Sequence, residues 1–477
     1  MFPWKTALTA FTLATMLVSL KAWDWRSSAS LLDFRPRQIV LAPTEDQVKN
    51  YTLLTTNANK PDPRRIADAG SSMAAFYGAL MQTEQGRPGS VTRVVHYGES
   101  PTTADMITAD VRALLQAKFG DAGHGFALVA KPWAWYQHRG VEVSGSNWSI
   151  HPAHQGHLKD GLFGLGGVTF VGTSGATARV KVQDKRHTIV EVSYLAQPDG
   201  GSFAFYAGET ALGTVETAAE SNTPGYASFR VPEGTAEYSI RDVKGKVRLF
   251  GVRLAKTAPG VVYDSLGLNG ASIMVPSRSF NEDHWAAQLK HAQPHLVVLN
   301  YGINESVYAA FVESALEKEL RRVIARIRKA VPEASILLMA PMDRGDRDSS
   351  GTIVTPKALT RVVEIQSKVA ADTGIAFFNT FEAMGGAGTM AKWYTDTPRL
   401  VSADLLHPMP AGAKKVGKLF YDALLAGYLR YKVMERSKSL PNVAANEPKP
   451  QVPKPTAASQ ADPQTASPAP AAAQANP

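Results

Sequence analysis

Residues 295–302, HLVVLNYG, form a near-continuous apolar run. Such a run is expected of a strand buried on both faces, as in a parallel sheet, rather than of the alternating strands of a half-exposed one. Similar strands are read at 335–342 (SILLMAPM) and 374–381 (GIAFFNTF), and another opens the segment 260–272 (GVVYDSLGLNGAS). Helical spacing of apolar residues fills the gaps at 280–291, 308–331 and 356–373, and a last helix is read at 411–431. Earlier, the β-branched run 91–97 is broken by Gly98, and residues 102–119 carry Met106, Ile107, Val111, Leu114, Leu115 and Phe119 on a helical period behind Pro101. Strand and helix alternating five times predict an α/β fold, a five-stranded parallel sheet between two layers of helices. In such sheets ligands bind at the carboxyl ends of the strands.

The alternation is interrupted between 141 and 256. There the chain shows short alternating stretches such as ARVKV, TIVEVSYL and SFAFYAG, separated by PDGG, PEG and KGK turns. An inserted all-β domain, a sandwich of jelly-roll type, is predicted. The α/β domain is therefore discontinuous, 91–140 and 257–435. Residues 23–90 form an N-terminal extension, with a helix read at 66–84. Residues 436–477, rich in Pro, Ala, Gln and Lys, read as a disordered tail. Residues 1–22 place Lys5 before an apolar stretch at 6–20, the pattern of a secretory signal or short N-terminal anchor. The expectation is export to the periplasm or cell envelope, with the segment either cleaved or anchoring the chain to the inner membrane.

The chain lacks cysteine, which excludes disulfides and thiolate metal sites. Its net charge of +9 is scattered, with no basic stripe interleaved with aromatics, so no nucleic-acid partner is expected. An anionic polymer is a compatible partner.

Chemistry is carried by residues far apart in the chain. Ser100 lies at a strand-to-helix turn, near backbone N–H groups that can face a developing negative charge. Gly270 and Asn304 lie in loops after two later strands. Asp404 and His407 stand in DLLHP, just before the last helix. Ser100 is suited to attack a carbonyl carbon, His407 to take its proton, and Asp404 to fix the imidazole tautomer. The N–H groups of Ser100 and Gly270 and the Asn304 amide are candidate oxyanion donors. This chemistry requires no cofactor and no metal.

Four blocks in order, HYGES (96–100), GLNGA (267–271), YGINE (301–305) and DLLH (404–407), resemble those of the SGNH (GDSL-like) hydrolase superfamily. With a β insert between the serine and glycine blocks, the chain is similar to bacterial peptidoglycan O-acetylesterases bearing an inserted carbohydrate-binding-like β module. The resemblance implies a serine esterase acting on an O-acetylated polysaccharide, peptidoglycan foremost. Alternatives are an O-acetyltransferase, an esterase for another polysaccharide, or a non-catalytic glycan-binding protein. The family block usually reads Gly-Asp-Ser; here Glu99 replaces the aspartate and is expected to support the turn by a rearranged hydrogen bond. Two further signals are read as structural: the histidines at 151, 154 and 157, and the dense aromatics Trp133, Trp135 and Tyr136, which belong more often to a core than to a sugar platform.

Overall fold

The structure, a computed structural model, describes residues 62–439. The segment 1–22, residues 23–61 of the extension and residues 440–477 of the tail lie outside them, and with them the expectations of export, anchoring and a disordered tail.

Five strands form the parallel sheet: β1 (Val91–Gly98), β2 (Gly260–Gly267), β3 (Leu296–Asn300), β4 (Ser335–Met339) and β5 (Ala376–Phe378), in the spatial order β2-β1-β3-β4-β5. Every pairing along it is parallel. Side chains alternate between its faces, as the two-residue period of a strand requires. Val94, Tyr263, Val298 and Leu337 point into one apolar layer, with helices α1 (Ala74–Glu84), α3 (Met106–Phe119) and α7 (Pro410–Ser439) supplying Phe76, Val111 and Phe420. Between β1 and α3 lies a single turn, α2 (Ser100–Thr103). Val95, Leu266, Leu299 and Leu338 point to the other face, against α4 (Glu282–Ala292), α5 (Leu316–Ala330) and α6 (Lys357–Thr373). The three-layer α/β/α expectation holds.

Nine strands between Gly125 and Ala255 make a second, antiparallel sheet. Its longest strand, Val168–Val182, pairs at residues 170–172 with 247–249 and at 178–181 with 237–240. The register against the preceding strand jumps between Ser146 and Trp148, opposite Gly175, whose φ of +87° a glycine adopts without strain. That bulge lets one strand serve two sets of neighbours; seven of the nine strands form one hydrogen-bonded path, and Gly125–Ala127 and Val141–Pro152 pair with members of it from outside. Phe126, Val168 and Phe170 of this sheet share a continuous apolar core with Leu266, Trp285 and Leu299 of the α/β layers.

Three local expectations are refined. The glycine-rich segment 120–126 does not end as a loop: Gly125–Ala127 is a strand that joins the antiparallel sheet, its register against 252–254 held by Phe126 N–H donating to the buried Asp264 carboxylate on β2 at 2.8 Å. The helix read at 66–84 is α-helical only from Ala74, after a 3₁₀ turn at Ala69–Ser71, because Ala67 exchanges two backbone hydrogen bonds of 2.9 Å with Phe377 on the edge strand β5. The helix read at 102–119 is broken at Asp105, which adopts φ +49° and turns its carboxylate inward. Aspartate tolerates this region better than most residues.

Candidate active site

The parallel sheet places the ends of β1, β2 and β3 side by side, with Gly98 opposite both Gly267 and Asn300. Helix α2 turns tightly over these ends. A Cβ at Gly98 would stand 2.3 Å from Thr102 Oγ1, and one at Gly267 would stand 2.0 Å from Thr103 N. Only glycine permits so close an approach. Glu99 is extended and Ser100 opens the helix, so its N–H has no carbonyl within the helix to meet.

His407 comes from a loop pinched shut by the Ser402 N–H donating to its carbonyl at 2.8 Å and by a bridge between Val401 and Pro408. Asp404 Oδ1 accepts the N–H groups of Leu406 and His407, each at 3.0 Å, and the Ser402 hydroxyl. Those bonds hold Leu405 in a left-handed conformation, φ +61°, that aims the imidazole at the sheet. Ser100 Oγ and His407 Nε2 are 2.8 Å apart, and His407 Nδ1 and Asp404 Oδ2 are 2.7 Å apart. A carboxylate can only accept, so Nδ1 carries the proton and Nε2 is free to accept from the serine. Partial burial pushes the Asp404 carboxyl up, but the bonds it accepts from Ser402, the His407 ring and the His407 and Leu406 amides outweigh this. They hold it well below the usual carboxylate range.

Besides the Ser100 N–H, the expected oxyanion donors Gly270 and Asn304 lie on two adjoining loops. The Asn304 amide donates to Ala271 O at 2.6 Å, which leaves its second N–H unclaimed by that bond. Gly270 has φ +71°, a turn that suits glycine. Asn269, one residue earlier, lines the cavity beside Ser100 and His407. That cavity has a volume of about 980 Å³, and residues of the 131–143 and 181–183 segments also line it.

Two buried glutamates tie these loops together. Glu99 Oε1 accepts the N–H groups of Gly302 (2.5 Å) and Ile303 (3.0 Å), and Oε2 accepts that of Asn304 (3.1 Å). Glu305 Oε1 accepts the N–H of Ile273, beyond the glycine loop, at 2.6 Å. Burial and then the charge of Glu305 raise the Glu99 carboxyl well above its usual range, against the three N–H bonds; burial raises Glu305 to about 7. The two titrate as a pair.

Sequence reasoning did not single out Glu305, although it stands in YGINE, nor the network around Asp105. Asp105 makes a two-pronged pair with Arg112 (2.5 and 3.2 Å) and accepts from Thr108 Oγ1 (2.7 Å) and Arg139 N (2.9 Å). His138 Nδ1 lies 3.3 Å from it. A charged pair inside an amphipathic helix pattern, with both members on the apolar side, was the available signal. Of the histidines at 151, 154 and 157, His151 bonds Ser149 Oγ at 2.9 Å and His154 packs on Trp133.

The fold is the α/β/α architecture of SGNH hydrolases, with an additional all-β region. Residues 231–415 match the GDSL-like lipase/acylhydrolase family, so the chain carries a domain of that family; the match begins beyond Ser100, within the last strands of the β region. A solved structure of a peptidoglycan O-acetylesterase is similar at TM-score 0.65 and 23% identity, covering 76% of this chain and 99% of that one. At that identity the likeness is one of fold. A Bacillus subtilis protein (14% identity, TM-score 0.30, covering 61% of this chain and 91% of its own) and a salicylyl-acyltransferase of a tetracycline biosynthetic pathway (13%, 0.29, 60% and 94%) are more distant. No curated protein matches by sequence.

Proposed function

We propose that this protein is an exported serine esterase that removes O-acetyl groups from cell-envelope carbohydrate, peptidoglycan foremost. The observation that carries the reading is the unbroken hydrogen-bonded line from Ser100 through His407 to Asp404, the first two of which line a cavity. Export rests on the N-terminal sequence pattern, and the glycan substrate on the four blocks and the β region.

In this mechanism Ser100 Oγ forms a bond to the acetyl carbonyl carbon as its proton passes to His407 Nε2. The carbonyl electron pair moves onto oxygen, where the N–H groups of Ser100 and Gly270 and the Asn304 amide receive it. Collapse breaks the bond to the sugar oxygen, which takes the proton from His407. Water then attacks the acetyl-serine, its proton goes to His407, and acetate leaves as Ser100 regains the proton. Asp404 holds the imidazole and stabilises its charged form throughout.

The test is acetate release from O-acetylated peptidoglycan by the purified protein, together with covalent labelling by a fluorophosphonate. Wild type should release acetate and label at Ser100, and Ser100→Ala should do neither while keeping its fold. Release undiminished in that variant removes Ser100 from the mechanism. Formation of an acetylated sugar in preference to acetate makes the enzyme a transferase.

A further inference from the structure

One loop that lines the cavity beside Ser100 carries aromatic residues that part company. Tyr136 is 5% exposed and its hydroxyl accepts the Leu128 N–H at 3.0 Å. Trp133 packs edge-on against Tyr136, with ring centres 6.4 Å apart, and against His154. Gln137 N–H donates to Thr103 O, in the turn that begins with Ser100, at 3.3 Å. The loop is therefore moored on both sides. Trp135, between the anchors, is 54% exposed and lines the cavity that holds Ser100 and His407. A large ring left in water on a fixed loop loses little freedom when a flat ligand covers it.

Two of the charged residues on this wall are held in ion pairs. Arg139 is bonded to Asp110 at 2.5 Å, and Asp105 to Arg112. Glu142 and Lys181, opposite each other in register across two antiparallel strands, also line the cavity, so their charges offset one another there without a direct ion pair. Lys131, four residues before Trp135, also lines the cavity, and among the described residues no carboxylate pairs with it. Lys131 thus shares its loop and the cavity with the exposed indole, and among the described residues no carboxylate stands opposite it.

We infer that Trp135 and Lys131 form a subsite for the sugar flanking the acetylated one, the indole stacking on the sugar ring and the ammonium receiving a carboxylate that the glycan carries. The inference rests on the esterase reading and narrows it: the preferred substrate is an anionic glycan, not a neutral one or a lipid ester. Trp135 and Lys131 act here as specificity-determining residues and take no part in the bond changes.

The experiment compares kcat/KM on O-acetylated peptidoglycan, on the same strands with carboxylates amidated, and on p-nitrophenyl acetate. Trp135→Ala should lower the ratio of glycan to aryl acetate kcat/KM about tenfold, through KM, and Trp135→Phe should restore part of it. Lys131→Ala should remove the preference for native over amidated strands, a change of about three- to fivefold. Ratios equal to wild type in both variants overturn the subsite. Binding of the native strands to Ser100→Ala, followed by calorimetry with and without each second substitution, reads the subsite without turnover. Weakening there supports it even if wild type releases no acetate, the result that would instead defeat the esterase reading; unchanged binding overturns the subsite alone.

Discussion

The Asn304 backbone N–H donates to Glu99 Oε2 at 3.1 Å, so the residue next to the proposed nucleophile also sets the position of the turn that carries a proposed oxyanion donor. Gly302 and Ile303 donate to the other oxygen. A glutamate in place of the family's usual aspartate reaches this turn from the end of β1 and meets three buried N–H groups at once. In Glu99→Gln one oxygen becomes an amide nitrogen and a buried N–H is left facing a donor. Leaving such a group unpaired costs about 1–3 kcal/mol. Urea unfolding should show that loss, and kcat should fall about 10- to 100-fold with KM little changed, since the turn aims at the transition state. Wild-type stability and turnover in this variant would show that the turn holds itself.

In the proposed mechanism Asp404 has a narrower task. In Asp404→Asn an amide can still accept from the Leu406 or His407 backbone, but an N–H₂ facing Nδ1 favours the other imidazole tautomer. Nε2 then carries a proton and cannot take one from Ser100. Turnover should fall about 10⁴-fold with glycan binding retained, by analogy with the same change in serine proteases. Loss of less than tenfold would mean that the carboxylate does not orient the imidazole.

What could be read from the chain and what could not follow from the range of the forces involved. The apolar runs of β3 and β4 and the β-branched run of β1 announce buried parallel strands locally, and the ends of those strands had to gather the serine, glycine and asparagine blocks. The break at Asp105 could not be read this way. Its cause is a guanidinium seven residues on and an amide at Arg139, partners visible only once the chain has folded. Likewise Trp133, Trp135 and Tyr136 are indistinguishable as sequence; the moored loop buries two of them to differing degrees and leaves the third in the cavity. Gly125–Ala127 looks like loop because three residues carry no period, and it is a strand because Asp264 and the 252–254 backbone complete it.

The buried pair Glu99 and Glu305 predicts a pH dependence of stability with a definite sign. Burial raises the Glu305 carboxyl from its ordinary 4.5 to about 7. A carboxyl with the higher value in the folded state binds more protons folded than unfolded between those limits. Its contribution is full below about pH 4.5 and is lost as pH rises through about 7. Glu305→Gln keeps an oxygen for the Ile273 N–H and has no proton to lose. Relative to wild type, the variant should therefore gain stability from pH 5 to pH 8, by up to about 3 kcal/mol at ~1.4 kcal/mol per unit. Chemical unfolding at both pH values measures the difference, and parallel curves for the two proteins would mean that Glu305 ionises as freely folded as unfolded.

Asp105 and Arg112 form the opposite case, a buried pair in which the charge is wanted. Their side chains are 1% and 4% exposed. Burial pushes the Asp105 carboxyl up, but Arg112 and then His138 pull it well below the usual range, so its contribution to stability is present above about pH 4 and lost as pH falls through the folded value. Arg112→Met would strand the carboxylate with only Thr108, His138 and the Arg139 N–H. Breaking one side of a buried pair costs about 3–5 kcal/mol, whereas replacing both sides is often close to neutral. Arg112→Met should accordingly unfold at much lower urea at pH 7, and adding Asp105→Asn should recover most of the loss. Asp105 also holds Arg139, at the end of the loop that carries Trp135, so the single variant should raise KM for glycan more than for p-nitrophenyl acetate even where it is fully folded. Equal effects on the two substrates would confine the pair to stability and separate it from the cavity wall.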